Sequence, residues 1–280
     1  MSSVESGAGT MVQRPRLMPM SRSAALRLSY LAVTAGIVGT VGFSASTIGL
    51  PTALYLALVA DGILRAGSPV LGPVVRHGPR TVPKVALSFD DGPDPAVTPA
   101  VLDALARHNA RATFFVIGRS LAAAPQVARR LVAEGHELGN HSWQHSRWHG
   151  FFGPRRHARE ILTTTYAICA LNGERGQPLF RPPLGLKSPP LFQVLRQHDM
   201  RMVAWSLHSR DTHWTEPARI AERVLQRVRP GDIVLLHDGH DLPGRHRYSC
   251  AAATSLILQG LAERRLQPVT VSELLGTSAR

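Results

Sequence analysis

The sequence predicts an α/β fold, a (β/α) barrel of about seven units over residues 83–275, preceded by a hydrophobic membrane segment. Three observations lead to this prediction. From Lys84 onward, short apolar runs alternate with amphipathic segments, which is the pattern of parallel strands joined by helices. Polar residues suited to chemistry follow several of those runs. Before them, residues 28–60 contain no charged side chain.

The predicted strands are short apolar runs, at 85–89, 112–117, 136–141, 179–183, 202–207, 232–237 and 267–271. The predicted helices have apolar residues at helical spacing, at 97–108, 125–134, 154–171, 189–198, 217–228 and 251–264. Pro95 and Thr98 are start signals for the first of these helices. The alternation implies a parallel sheet with crossover helices, and its length suits a small barrel better than an open sheet.

The first 64 residues differ in composition from the rest. Residues 1–27 are polar and basic, and we predict that they form a cytoplasmic leader by the positive-inside rule. The uncharged run that follows is long enough for one tilted transmembrane helix and barely long enough for two, so residues 28–64 are the predicted transmembrane segment. Residues 65–82 are rich in Gly and Pro and predict a linker. A cleaved signal peptide and a buried pair of soluble helices are the alternatives.

The number of spans stays open in the sequence. Gly49 and Pro51 offer a turn between pieces 28–48 and 52–64, and such a hairpin would return the chain to the cytoplasm. One span would place the barrel outside. We expect a membrane-anchored protein whose main domain is extracytoplasmic, in the periplasm or at the cell surface.

The formal charge of +13 comes almost entirely from arginine, because only Lys84 and Lys187 are lysines. Such a balance suggests an anionic partner or a compositional bias. The basic residues are scattered and aromatic residues make up only 6% of the chain, so we predict no nucleic-acid partner. Two cysteines, Cys169 and Cys250, exclude a disulfide-rich scaffold and either pair or stay free.

Candidate site residues follow the predicted strands. Asp90 and Asp91 precede a Gly-Pro turn, where one carboxylate can bind a metal while the other handles protons; a capping turn is the alternative. His141 and His145 are four apart and would lie on one face of a helical turn, where they can ligate one ion. Together with an acid they would complete a two-histidine, one-carboxylate site with open positions, and zinc is the default ion.

Two further strand ends bear candidate residues. His237 ends the apolar run DIVLL and suits a general acid, with a structural histidine as the alternative. Arg181 stands beside two prolines and would hold a carboxylate ionised and aimed, with a surface salt bridge as the alternative.

These segments resemble the five motifs of the polysaccharide deacetylase family, also called the NodB-homology domain or carbohydrate esterase family 4. FDDGP, HSxxH, RPPxG, a Trp-Ser…Asp segment and LLHDG occur in that order within residues 83–273. The resemblance implies a distorted (β/α) barrel and a metal-dependent hydrolase that removes N-acetyl groups from sugars of a cell-envelope or secreted polysaccharide. It implies a divalent metal, with Zn²⁺ as first choice and Co²⁺, Ni²⁺, Mn²⁺ or Fe²⁺ as alternatives.

The resemblance also implies a role for each matching residue. Asp90 would be the general base toward the attacking water, and His237 the general acid toward the leaving amine. Arg181 would orient Asp90, and Asp211 would hold Arg181. The metal ligands would be Asp91, His141 and His145.

Three residues would bind the substrate's acetyl group. Trp205 and Leu235 would line the pocket for its methyl, and the backbone N–H of Leu184 would help to stabilise the oxyanion. The sequence departs from the family at two places. Leu184 stands where an aromatic residue is usual, and His208 stands where the fourth motif usually begins with an acid, with its tryptophan displaced to Trp214.

Other functions stay open. The partners expected are a glycan or sugar substrate and, through the N-terminal segment, membrane lipid; the oligomeric state is not predicted. A deacetylase or deformylase of a lipid-linked sugar and an O-acetyl esterase are alternative enzymes. A catalytically inactive glycan-binding module would have lost a ligand, the base or the acid, and this chain keeps them all.

Overall fold

The computed structural model describes residues 45–173, 178–240 and 246–277. Within them, eight strands form one sheet, and every strand pair is parallel. The strands are β1 Lys84–Asp90, β2 Thr113–Val116, β3 Glu137–Asn140, β4 Leu179–Phe180, β5 Arg201–Met202, β6 Leu207–His208, β7 Ile233–His237 and β8 Gln267–Val269. The α/β class with parallel strands is therefore confirmed.

The strand order β5-β4-β3-β2-β1-β7-β6 curls the sheet into a barrel, with β8 paired to the first half of β1. The two end strands, β5 and β6, are separated by only residues 203–206. Since Met202 and Leu207 are five residues apart, the edges they belong to lie within about 18 Å of each other. The sheet must therefore bend round until its two edges approach.

The prediction of one strand over 202–207 is wrong. Val203 N donates to Phe180 O on β4, whereas Ser206 N donates to Ile233 O on β7. The chain changes its hydrogen-bonding partner between these residues because it crosses from one edge of the sheet to the other. The apolar run that suggested one long strand is two short strands joined by this crossing.

Each predicted helix is present in the described residues. The helices are α1 Ala45–Leu64, α2 Thr98–Arg107, α3 Gly118–Ala123, α4 Pro125–Ala133, α5 Pro154–Asn172, α6 Pro189–Gln197, α7 Pro217–Leu225, α8 Ser249–Glu263 and α9 Val271–Leu274. The short helices α3 and α9 were not predicted, because a single turn has too few residues to show a helical period. Proline opens α4, α5, α6 and α7, where its missing N–H costs no hydrogen bond.

The side chains of the central strand β1 alternate between the core beneath the helices and the interior of the barrel. Leu87 and Phe89 belong to the cluster that packs under the helices, and Phe89 stacks on Phe114 at 4.9 Å between ring centroids. Because alternate residues of a strand point to opposite faces, Ser88 and Asp90 point into the barrel. A polar pair therefore faces the interior at the carboxyl end of β1.

Over residues 49–64, helix α1 is largely exposed, and Gly62 and Ile63 near its end pack against the residues that follow and the barrel core. It continues through Pro51, so of the two alternatives left open the turn at Gly49 and Pro51 does not form; the proline removes one helical hydrogen bond without ending the helix. No helix in the described part of the chain is long and apolar enough to cross a membrane. Residues 1–44, with the predicted leader and most of the predicted membrane run, lie outside the described residues.

The predicted linker packs against the barrel. Val75 pairs with Val203 and continues the sheet at the β5 edge, with Ala204 N donating to Val75 O at 2.7 Å. Gly78 N donates to Gly231 O, and Arg80 forms an ion pair with Asp232 at 2.6 Å. The segment is thus part of the folded barrel wall.

Its first turn is fixed by a buried lysine. Lys187 Nζ donates to Arg65 O at 2.9 Å and to Ser68 O at 2.6 Å, and Lys187 N donates to Ile63 O. Burial lowers the pKa of Lys187 to about 8, although Asp61 opposes that shift. The end of α1 is therefore attached to the loop that follows β4.

Candidate active site

The carboxyl ends of the strands meet around one cavity of about 580 Å³. Asp90 and His237 end neighbouring strands in register, and His141 follows β3 directly. Most of the predicted site residues line this cavity, namely Asp90, Asp91, His141, His145, Leu184, Trp205, Leu235 and His237. The other two, Arg181 and Asp211, are buried and contact its lining residues.

Three buried residues form a cluster that could hold a metal ion. Asp91, His141 and His145 each offer one ligand atom, and these atoms lie within 4.8 Å of one another. Asp91 Oδ1 lies 3.5 Å from His141 Nε2 and 3.2 Å from His145 Nε2. Burial raises the pKa of Asp91, but the neighbouring histidines, His141 together with His145 and His237, outweigh it and lower that pKa overall.

His141 and His145 are brought together by a loop and not by a turn of helix, so the predicted helical turn is wrong. Ser142 and His145 both have positive φ, 67° and 52°. Asn140 Oδ1 accepts from Ser142 N at 2.8 Å, and Ser142 Oγ accepts from His145 N at 3.1 Å. These local hydrogen bonds compete with helix formation and turn both imidazoles toward the acid.

The tautomer of His141 fits a metal ligand. Its Nδ1 lies 2.7 Å from Arg181 O, a carbonyl that can only accept, so Nδ1 carries the proton. In the neutral ring the lone pair is then on Nε2, which lies 3.5 Å from Asp91 Oδ1. A ligating histidine whose second nitrogen donates to a carbonyl is the usual arrangement in metal sites. One carboxylate and two imidazoles suit Zn²⁺ and similar divalent ions.

Arg181 holds Asp90 from behind the cavity. Its Nη1 donates to Asp90 Oδ1 at 2.6 Å and to Ser88 Oγ at 3.0 Å. The guanidinium is fully buried and lies over the Phe115 ring at 3.9 Å. Burial lowers the pKa of Arg181, although Asp90 opposes this. An arginine stays charged even so, and its remaining donors reach the carbonyls of Val203 and Ala204.

Asp211 holds His237 and not Arg181, which corrects the prediction. Asp211 Oδ1 accepts from His237 Nδ1 at 2.9 Å, and Oδ2 accepts from His237 N at 2.7 Å. The reason is the strand order, because Asp211 follows β6, the neighbour of β7, whereas Arg181 follows β4. Burial lowers the pKa of His237, but Asp211, Asp91 and Asp90 raise it further, to about 9.

One side of the remaining wall is apolar, and polar residues, among them Arg147 and Arg247, line the rest. Leu235 is buried on β7, and the Trp205 ring lies beside Gly185, where an added Cβ would approach it to 3.1 Å. Leu184 has φ 56° and a side chain that is 57% exposed. His208 stands next to this wall, 6.0 Å from His237 between ring centroids.

Two residues that hold Arg181 were missed in the sequence. Ser88 accepts a hydrogen bond from its guanidinium, and Phe115 supplies the ring beneath it. A polar residue inside the apolar run VALSF was the available indication for Ser88. Nothing local marks Phe115, since it lies on another strand.

Comparison with known proteins identifies the family. The model of the polysaccharide deacetylase family matches residues 77–203. A chitooligosaccharide deacetylase of Bradyrhizobium sp. (strain ANU 289) is 43% identical over 176 residues, which make up 61% of this chain and 77% of that protein. The chain belongs to the polysaccharide deacetylase family. It is accordingly a hydrolase of a family of sugar deacetylases whose members use a divalent metal, and it has a residue cluster that could bind one.

Solved structures of other polysaccharide deacetylases share the fold. A peptidoglycan N-acetylglucosamine deacetylase superposes with a TM-score of 0.68 at 30% identity, over 74% of this chain and 94% of that chain. A family 4 acetyl xylan esterase from Clostridium thermocellum, in complex with a cobalt ion, superposes with a TM-score of 0.60 at 36% identity, over 68% and 89%. The family therefore includes proteins named for amide and for ester substrates.

Proposed function

We propose that this polysaccharide deacetylase hydrolyses the N-acetyl group of N-acetylglucosamine residues in a cell-envelope glycan. One observation carries the proposal. A buried Asp-His-His cluster, an acid held by a buried arginine and a histidine held by a buried acid surround a single cavity. Amide hydrolysis requires this combination of an activated nucleophile, charge stabilisation and a proton donor.

We assign a divalent metal, with Zn²⁺ as first choice, to Asp91, His141 and His145. Such an ion would polarise the acetyl carbonyl and lower the pKa of a water molecule. The hydrogen bond from His141 Nδ1 to Arg181 O supports this assignment, because in the neutral ring it leaves the lone pair on Nε2, beside Asp91. A metal ligand needs such a lone pair.

The protein's own residues would move the protons. Asp90 would accept one from the attacking water, and Arg181 would keep the other carboxylate oxygen occupied so that Oδ2 faces the cavity. His237 would donate a proton to the departing amine, since its raised pKa keeps it protonated at neutral pH. Asp211 would fix the orientation of that imidazole.

The apolar wall would select the acyl group. Trp205 and Leu235 would contact the acetyl methyl, and Leu184 would contribute its backbone N–H to the developing oxyanion. A small apolar pocket favours acetyl over a longer acyl chain because a larger group would meet buried side chains.

Release of acetate tests the proposal. The full-length protein, stripped of metal and then reloaded with Zn²⁺, is expected to release acetate from N-acetylglucosamine oligomers, peptidoglycan or a lipid-linked N-acetylhexosamine. The Asp90→Asn protein is the matched control, expected to bind the same amount of metal and to release none. Acetate release that is equal with and without metal would refute the proposal.

An O-acetyl ester is the second candidate substrate. The similarity to an acetyl xylan esterase favours it, and the same cavity accommodates an acetyl ester. An ester has a better leaving group than an amide, so it depends less on a proton donor. His237→Ala is therefore expected to reduce amide cleavage more than ester cleavage.

We also propose that residues 28–64 anchor the protein in a membrane through one span and that residues 83–275 work outside the cytoplasm. The basic leader, the uncharged run and the exposed leucines of α1, including Leu50 and Leu54, support this. The continuous helix through Pro51 favours one span over a hairpin that turns there. The full chain should remain with membranes after alkaline washing, and recovery in the wash would contradict the anchor.

A further inference from the structure

A second cavity of about 530 Å³ adjoins the active site. We call it the arginine cavity, and it is lined by His208, Arg210, His213, Trp214 and Arg223. His208 lines both cavities, so the two share a wall. This is also the segment where the sequence departs from the family's fourth motif.

The arginine cavity concentrates positive charge. The guanidinium carbons of Arg210, Arg219 and Arg223 lie 5.9, 4.2 and 5.9 Å from the Trp214 ring centroid. Among the described residues, none of these three arginines takes part in an ion pair. Burial, followed by the charges of Arg227 and Arg210, lowers the pKa of Arg223. The cluster is therefore self-repelling.

Two acids beside the cluster make other hydrogen bonds. Both carboxylate oxygens of Asp211 accept from His237, and Glu222 Oε1 accepts from Gln226 on the same helix. Clustered cations that make no ion pair repel one another in the free protein, and an anionic ligand would relieve that repulsion. Arg219 lies closest to the face of Trp214. Arg223 Nε donates to His208 O at 3.0 Å, so its two terminal nitrogens are the donors left for a ligand.

The shared wall contributes a further donor. Arg210 N donates to His208 Nδ1 at 2.8 Å, so a neutral His208 carries its proton on Nε2. Arg210 has φ 67°, a conformation that a non-glycine residue adopts only when its surroundings enforce it. The turn thus fixes the His208 ring and the backbone from which the Arg210 side chain extends.

We propose that the arginine cavity binds a carboxylate or phosphate group carried by the substrate next to the N-acetylated sugar at the active site. This inference rests on the proposed function and specifies its substrate as an anionic one. A neutral glycan would leave the cluster uncompensated, whereas a charged substituent would accept hydrogen bonds from Arg210 and Arg223. The site would then recognise the sugar by its acetyl group and its neighbour by charge.

Calorimetric titration of the full-length Asp90→Asn protein with matched sugar pairs tests this inference. The first pair is N,N′-diacetylchitobiose and the disaccharide of N-acetylglucosamine and N-acetylmuramic acid, which differ by one O-lactyl group that carries a carboxylate. The second pair is N-acetylglucosamine and its 1-phosphate. The anionic member should bind about tenfold more tightly, the worth of one charge-assisted hydrogen bond. The ratio of the two affinities should fall as ionic strength rises, because salt screens the interaction between charges.

Three further substitutions sharpen the test. Arg210→Gln should remove most of the affinity difference between the anionic and the neutral sugar. Arg210→Lys, which keeps the charge, should retain part of that difference. Arg107→Gln, on the last turn of α2 at the opposite end of the barrel, should leave it unchanged. A preference in only one pair would support the inference and assign the anion as carboxylate or phosphate.

Two results would overturn the inference, namely equal affinity within both pairs or a preference that survives Arg210→Gln. Acetate release from neutral chitobiose by the unaltered protein tests the proposed function separately. A charge preference without any acetate release would contradict that function and leave this site in place.

Discussion

His237 donates to both oxygens of one buried carboxylate, Asp211, from its ring Nδ1 at 2.9 Å and from its backbone N at 2.7 Å. The pair therefore fixes the position of the residue as well as the tilt of its ring. With Nδ1 occupied, Nε2 is the atom that can face the cavity. The proton donor and its support come from neighbouring strand ends, so the barrel itself sets their distance.

Asp211→Asn should lower the pH at which activity declines on the alkaline side. The pKa of His237 is raised to about 9, and Asp211 is the largest contributor to the increase. A general acid must be protonated, so activity is present below that pKa and is lost as the pH rises through it. Removing the charge should move this limb to lower pH by one unit or more. An alkaline limb at the same pH would contradict the assignment of His237 as the acid.

His237→Ala should reduce kcat on an N-acetyl substrate by roughly 10²–10⁴-fold, the usual worth of a positioned acid. Metal content should not change, because His237 is outside the Asp-His-His cluster. Zinc analysis together with the rate checks both statements. A rate near that of the unaltered protein would mean that another group supplies the proton.

His141→Ala should lose tightly bound metal, because it removes one of three ligand atoms and the one whose tautomer is fixed by Arg181 O. Zinc content after dialysis measures this. The control is His198→Ala, an exposed histidine after α6, which should keep full metal content. Equal zinc in the two variants would refute the ligand assignment.

Arg181→Met should destabilise the protein by about 3–5 kcal/mol, since it leaves the buried Asp90 carboxylate without its partner. Denaturant unfolding measures the change. The double variant Arg181→Met with Asp90→Asn should lose less stability than the two single losses added together, because the orphaned charge is absent. Strict additivity would show that the ion pair does not couple the two residues.

Lys187→Met should loosen the end of α1. It leaves the carbonyls of Arg65 and Ser68 without their buried donor, at a cost of about 1–3 kcal/mol. Faster amide exchange over residues 61–71, with β1 unchanged, is the expected result. Uniform acceleration across the barrel would instead indicate a global loss of stability.

The site residues that could be predicted from the sequence are those carried by local motifs. Asp90, His141 and His237 each follow an apolar run, and parallel strands bring such positions to one end of a barrel. The partner of Asp211 could not be predicted in this way, because it depends on β6 lying beside β7. The prediction of one strand over 202–207 failed for a similar reason. The chain changes its hydrogen-bonding partner within this run, and the pattern of apolar residues does not indicate such a change.

The packed segment that precedes β1 has a consequence for how the protein meets its glycan. Val75 is part of the sheet edge and Arg80 is paired with Asp232, so the predicted linker, residues 65–82, is not a flexible spacer. In an anchored protein the active site would then sit at a set height above the lipid surface. Only glycan chains of the cell wall that lie at that distance from the membrane would reach the active site. Deacetylation would therefore be confined to a thin layer next to the membrane.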